Sequence, residues 1–227
     1  MPESTASQQQ PGTIAVTPSM NHHLALSKMT RADKTMNEGS GIIEEHDILS
    51  PEEAELKHQE ENDILLVQTL RNASNDVWIE VDAYWHLTDS TKAFSLTANT
   101  LRGQHKILRR PLKFYNKDKT ECILIIHVGD KLCSSRSPYI HNGLLATLLD
   151  EHLAFVSLPS LPNYTGFTAN LNIDYREPVE PNQWLILRGK LNKIEGRKAF
   201  AEASIENIYG DRLAEATSLY ISPRPQT

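Results

Sequence analysis

The sequence predicts an α+β fold in which one antiparallel β-sheet wraps around a single central α-helix, preceded by a helical N-terminal lead-in. Three observations predict it. Residues 143–158 read Gly-Leu-Leu-Ala-Thr-Leu-Leu-Asp-Glu-His-Leu-Ala-Phe-Val-Ser-Leu, apolar on almost every side, and such a helix must be enclosed. Two segments of strand character precede it and four follow it. Short turn signals rather than long crossovers separate the later strands, as antiparallel neighbours require.

Residues 1–49 have little periodicity and a Gln8-Gln9-Gln10-Pro11-Gly12 tract, so they are expected to form a disordered tail. Order begins at Ser50-Pro51-Glu52-Glu53. Ser50 suits an N-cap, Pro51 the first helical position, and Glu53 can close a capping box. The helix is expected to run to residue 72, its second half carrying Ile64, Leu65, Val67 and Leu70 for docking on the main domain. Residues 76–100 read as an irregular collar, which completes a lead-in over 50–100. Strands are then expected at 107–115 and 121–128, joined by the turn Asn116-Lys117-Asp118-Lys119. After the central helix come strands at 167–175, 184–194, 199–209 and 213–221, punctuated by Arg176-Glu177-Pro178, Glu195-Gly196 and Tyr209-Gly210-Asp211. Two strands, one engulfed helix and four strands make a hotdog fold over residues 101–227.

Composition narrows the function. Residues 1–60 hold 4 Lys and Arg against 10 Asp and Glu, while residues 61–227 hold 19 of each, so the whole net charge of −6 sits in the first quarter. No concentrated basic face is available for phosphate backbones, and no nucleic-acid partner is expected. No apolar run is long enough to span a bilayer, and a soluble protein is expected. The two cysteines, Cys122 and Cys133, allow at most one bridge, which favours a reducing compartment. Cytoplasmic location is the primary expectation. Mitochondrial location is the weaker alternative, since residues 1–40 are rich in Ser, Thr and Gln but hold Arg31 as the lone arginine.

A Gly-x-Ser-x-Gly elbow, a phosphate loop, paired CxxC motifs and HExxH are all missing, and the nine histidines have no ligand spacing. Neither metal nor cofactor is expected. What remains is the start of the central helix. Its free N–H groups, following Tyr139-Ile140-His141-Asn142-Gly143, form a place for an oxyanion. Asp150 lies seven residues after Gly143, close to two turns, and so below those groups. Its alternative is a bond to a neighbouring strand or a place in solvent. For His141 the alternatives are a proton role and a helix cap, and a Cys133–His141 thiol pair is not specific.

Four ordered stretches carry a resemblance: His141-Asn-Gly-Leu-Leu-Ala-Thr-Leu-Leu-Asp150, Thr168-Ala-Asn-Leu-Asn-Ile-Asp-Tyr175, Glu195-Gly-Arg-Lys198 and Glu215-Ala-Thr-Ser-Leu-Tyr-Ile221. Over residues 101–223 the chain resembles the PaaI-like hotdog acyl-CoA thioesterases, nearest the mitochondrial acyl-CoA thioesterases and their fungal relatives. The resemblance implies Asp150 as general base or nucleophile, the N–H groups of Asn142 and Gly143 as oxyanion hole, and Thr168 as the residue that positions water or carboxylate. Alternation would place Thr168, Asn170, Asn172 and Asp174 on one face leading from the reaction centre to the rim. Asp174 and Arg176 match substrate-lining positions. Arg197 and Lys198 match positions that could hold the coenzyme A phosphates, against the alternative of a solvated turn. The sequence departs from the family's His-Gly-Gly at Asn142. If that position needs positive φ, Asn is the least costly non-glycine choice. The resemblance further implies a homodimer or dimer of dimers joined sheet edge to sheet edge, with each site shared, and an acyl-CoA or acyl-carrier substrate. The alternatives are a non-catalytic acyl-CoA-binding hotdog and a dehydratase or tailoring enzyme of a fungal biosynthetic pathway.

Overall fold

The computed structural model describes residues 50–73 and 77–224, so the tail expected over 1–49 lies outside the described residues. The capping box forms as expected: the Ser50 hydroxyl accepts from the Glu53 N–H, and the Glu53 carboxylate accepts from the Ser50 N–H. The single helix expected to residue 72 is two helices, α1 (Pro51–Asp63) and α2 (Leu65–Asn72), separated at Ile64 with ψ 115°. Burial explains the break. Helix α1 is polar all round, whereas Ile64, Val67 and Leu70 bury against Phe114, Ile123, Ile125, Trp184 and Ile186 on the outer face of the sheet. The turn at Ile64 lets the apolar stripe dock while α1, apart from the buried Glu61, stays largely exposed.

The collar is more regular than expected, because it contributes a strand. β1 (Trp78–Asp82) pairs antiparallel with β2 (Leu112–Asn116). The remainder is a short helix α3 (Asp89–Lys92), capped by Thr88, and a π-helical turn at Leu96–Thr100. β2 starts five residues later than the expected 107, immediately after Pro111, which has no N–H to give a ladder. The turn is made with Lys119 at φ 56°, and β3 (Glu121–Val128) follows. The central helix α4 spans Asn142–Ser157. Four strands complete the chain: β4 (Phe167–Tyr175), β5 (Gln183–Glu195), β6 (Lys198–Asn207) and β7 (Arg212–Ile221). All pair antiparallel in the order β1-β2-β3-β5-β6-β7-β4, which leaves β4 as a free edge.

Helix α4 packs into the inner face through Leu145, Leu148, Leu149, Leu153 and Val156, all essentially without exposure. Small residues let it approach. β6 presents Ala199, Ala201 and Ala203 inward, and a Cβ on Gly189 of β5 would lie 2.6 Å from Val156 Cγ2 and 2.8 Å from His152 Nε2. The expected enclosure on every side is incomplete. Ala146, Thr147, Asp150 and Ala154 form a half-buried stripe along one side of α4. Cys122 and Cys133 are both free.

Two histidines are held neutral by packing. Burial lowers the His152 pKa to about 3 and the His127 pKa to about 4, and neither ring makes a well-formed hydrogen bond, although the Cys122 backbone slightly favours charge on His152. His127 lies edge-on to Trp184, with ring centroids 5.3 Å apart. Below the ordinary value of 6.5 the unfolded chain takes up these protons and the folded chain does not. Their contribution to stability is therefore complete above that pH and is lost as pH falls toward 4 and then 3, at about 1.4 kcal/mol per pH unit for each ring. The unfolding midpoint should drop on acidification below pH 6.5, and less steeply in His127→Phe, which keeps the ring packing; equal slopes would count against the burial argument.

Candidate active site

The start of α4 is built by His141, which stands just outside the helix and caps it. Its Nδ1 accepts from the Gly143 N–H at 2.9 Å, and its carbonyl accepts from the Leu144 N–H at 2.8 Å. A side chain at residue 143 would strike this ring, since a Cβ there would lie 2.8 Å from His141 Nδ1. This corrects the pair of donors expected for an oxyanion. The Gly143 N–H is occupied by the cap, and among the described residues only the Asn142 N–H at the tip has no acceptor. Asn142 does not adopt positive φ; it opens the helix as its first residue, and its carbonyl accepts from the Tyr175 hydroxyl at 3.2 Å. A helical first residue needs no glycine, which is why Asn fits here.

Two turns on, Asp150 lies half-buried with its Oδ1 fixed from two strands. Thr168 Oγ1 of β4 donates to it at 2.8 Å, and the Tyr220 hydroxyl of β7 lies 2.8 Å from it and 2.6 Å from the Asp150 carbonyl oxygen. Oδ2 accepts from no described residue. The adjacent Glu151 turns the other way, into the collar, where Thr97 Oγ1 donates to it at 2.8 Å. Burial raises the Glu151 pKa, with the Thr97 bond opposing the shift.

The common face expected for Thr168, Asn170, Asn172 and Asp174 does not form. The β4–β7 register runs Thr168↔Tyr220 and then Asn170↔Leu219, so a bulge at Ala169 breaks the alternation. Thr168 points inward with Tyr220. Asn172 and Asp174 lie on the outer surface with Thr217, Arg188 and Glu202. Asp174 and Arg176 are therefore brought together with each other, not with Asp150: Arg176 bonds Glu215 and lies 3.5 Å from Asp174. The hairpin turn with Arg197 and Lys198 is at the Asp150 end of the sheet. Thr168, Tyr220 and Ala199 form one cross-strand row, and Phe167, Ile221 and Lys198 form the next. Lys198 is exposed, while Arg197 donates to the Ser222 carbonyl and so braces the turn. Tyr220 and Tyr175 went unassigned from sequence. The signal for Tyr220 was its place in the inward register with Ala214 and Ala216, where a tyrosine must find a partner for its hydroxyl.

Residues 138–213, from the loop before α4 into β7, match the thioesterase superfamily. Over these residues the chain is similar to that superfamily. The chain is 35% identical over 108 residues to MIOREX complex component 3 of Saccharomyces cerevisiae, covering 48% of this chain and 40% of that protein. It is 32% identical over 120 residues to a Candida albicans protein named as an uncharacterized mitochondrial protein, covering 50% and 53%. It is 32% identical over 114 residues to the acyl-coenzyme A thioesterase THEM4 of Mus musculus, covering 50% and 48%. The match thus spans about half the length of these relatives. Among solved structures, the Escherichia coli PaaI protein of the phenylacetic acid degradation operon aligns at 14% identity and a TM-score of 0.42, covering 45% of this chain and 76% of that one.

Proposed function

We propose that the protein hydrolyses an acyl-CoA thioester in a site assembled from two copies of the chain. The observation that carries this reading is Asp150: a carboxylate positioned by two hydroxyls, with one oxygen free, two turns below a helix tip that holds a free N–H. From Asn142 to Asp150 a helix rises about 12 Å, so within one chain the tip and the acid cannot both lie about 3 Å from one carbonyl group. Two copies of α4 side by side and antiparallel would put each tip over the other's acid. The unpaired edge of β4 and the half-buried small-residue stripe of α4 suit that pairing.

In the reaction, water gives a proton to Asp150 Oδ2 as its oxygen bonds the carbonyl carbon. Charge developing on the carbonyl oxygen is met by the Asn142 N–H and the positive end of the helix dipole. The C–S bond then breaks, and the departing sulfur takes the proton from Asp150. Free acid and coenzyme A result. Lys198, one row beyond the Thr168–Tyr220 row, meets the coenzyme A phosphates. Lys198→Glu should raise KM about tenfold and weaken its dependence on salt, with kcat little changed. An unchanged KM would return that turn to the solvent.

Thiol release from short, medium, long and aromatic acyl-CoAs by the purified full chain tests the reading, and no release from any of them overturns it. One observation favours a second reading, binding without turnover: the His141 ring occupies the Gly143 N–H. Protection against thermal unfolding by acyl-CoA with no thiol release would select it. The Candida relative supports a mitochondrial rather than a cytoplasmic setting for the reaction.

A further inference from the structure

We infer that Tyr220 is a positioning residue for Asp150: it fixes Oδ1, leaves Oδ2 as the reacting oxygen, and lets the acid gain and lose a proton without moving. The inference rests on the thioesterase reading above. Its basis is the chemistry of the three oxygens that meet at the Tyr220 hydroxyl. A phenol has one proton and can also accept, whereas a carbonyl oxygen only accepts. The Asp150 carbonyl at 2.6 Å and Oδ1 at 2.8 Å are both within reach of that one proton. With Asp150 ionised, the proton is shared between the two oxygens. With Asp150 protonated at Oδ2, Oδ1 becomes the carbonyl oxygen of the acid and goes on accepting from the phenol, so neither group has to move. Thr168, the other partner of Oδ1, is also a neutral hydroxyl and donates to that oxygen in both states.

An arginine or lysine at either place would only donate, and would hold the carboxylate as an anion. A general base must cycle, and two hydroxyls allow it. Tyr220 is 3% exposed, so its ring is fixed by packing and its hydroxyl has no bulk water to turn to. Burial, and secondarily the Asp150 charge, push the Tyr220 pKa well above the usual tyrosine range, so the phenol keeps its proton at every working pH. The titratable groups facing this cluster are Asp150 itself and Glu151, the latter engaged by Thr97.

The test is Tyr220→Phe in the full chain, beside Asp150→Asn and the double variant. Loss of a hydrogen bond to a charged group should lower kcat about 10- to 100-fold with KM nearly unchanged. Because the missing donor favoured the ionised acid, the acidic limb of the kcat/KM profile should move to higher pH. Added to Asp150→Asn, the change should cost nothing further. A merely structural role would leave the limb in place and depress the double variant below Asp150→Asn. Either of those outcomes, or full activity of Tyr220→Phe, overturns the inference. If the wild-type chain releases no thiol, the thioesterase reading fails by itself. The inference then stands or falls on carboxyl-carbon NMR of Asp150: its titration should move to higher pH in Tyr220→Phe, and an unmoved titration overturns it.

Discussion

Asp150→Asn should lower kcat for thiol release from acyl-CoA at least about 1,000-fold, the scale of losing a positioned base or nucleophile. The substitution is matched to the geometry. An asparagine oxygen still accepts from Thr168 and Tyr220, while its NH₂ group takes the place of Oδ2, which bonds no described residue. The unfolding midpoint should stay where it is, so lost activity would report chemistry and not folding. Wild-type turnover in this variant would remove Asp150 from the reaction.

Asn142→Pro should lower kcat about 100-fold, the usual loss when one oxyanion donor goes. Proline removes the N–H together with the Asn side chain, and Asn142→Ala, which keeps the N–H, controls for the lost carboxamide. The fixed φ of proline suits the first position of a helix, and His141 before it already has φ −66° and ψ 128°, a conformation that a following proline tolerates. Co-expressing this variant with Asp150→Asn then separates a shared site from a self-contained one. If tip and acid come from different copies, half of the dimers are mixed and each has one intact site of two, restoring about a quarter of wild-type activity. If both groups served the same chain, each mixed dimer would have two defective sites and the mixture would stay as slow as its parents.

Much of this molecule was legible before any coordinates. The turn residues and alternation placed β3 at 121–128 and β4 at 167–175 to the residue, and the capping box at Ser50 announced α1. These are local signals, set by backbone preference and by side-chain period. Misplacements arose where a distant contact outweighed a local one. The helix break at Ile64 serves an apolar stripe that docks on β2, β3 and β5. β1 forms because β2 offers a free edge, which five residues of mixed character do not reveal. The bulge at Ala169 adds one residue against β7, and in a structure of period two that sends Asn172 and Asp174 to the opposite surface from Thr168.

The sequence by itself determined that an apolar helix carrying Asp150 and Glu151 would be covered by strands along most of its surface, because exposing such a helix to water is costly. Only the tertiary structure decided what the acid touches. Tyr220 lies 70 residues from Asp150 along the chain, and Thr168 lies 18. Their meeting depends on sheet order and register, which follow from the packing of the whole core. The same holds at the helix tip, where the His141 ring turned back onto the Gly143 N–H and left Asn142 as the free donor. A side-chain rotamer made that choice, and no spacing of residues encodes it.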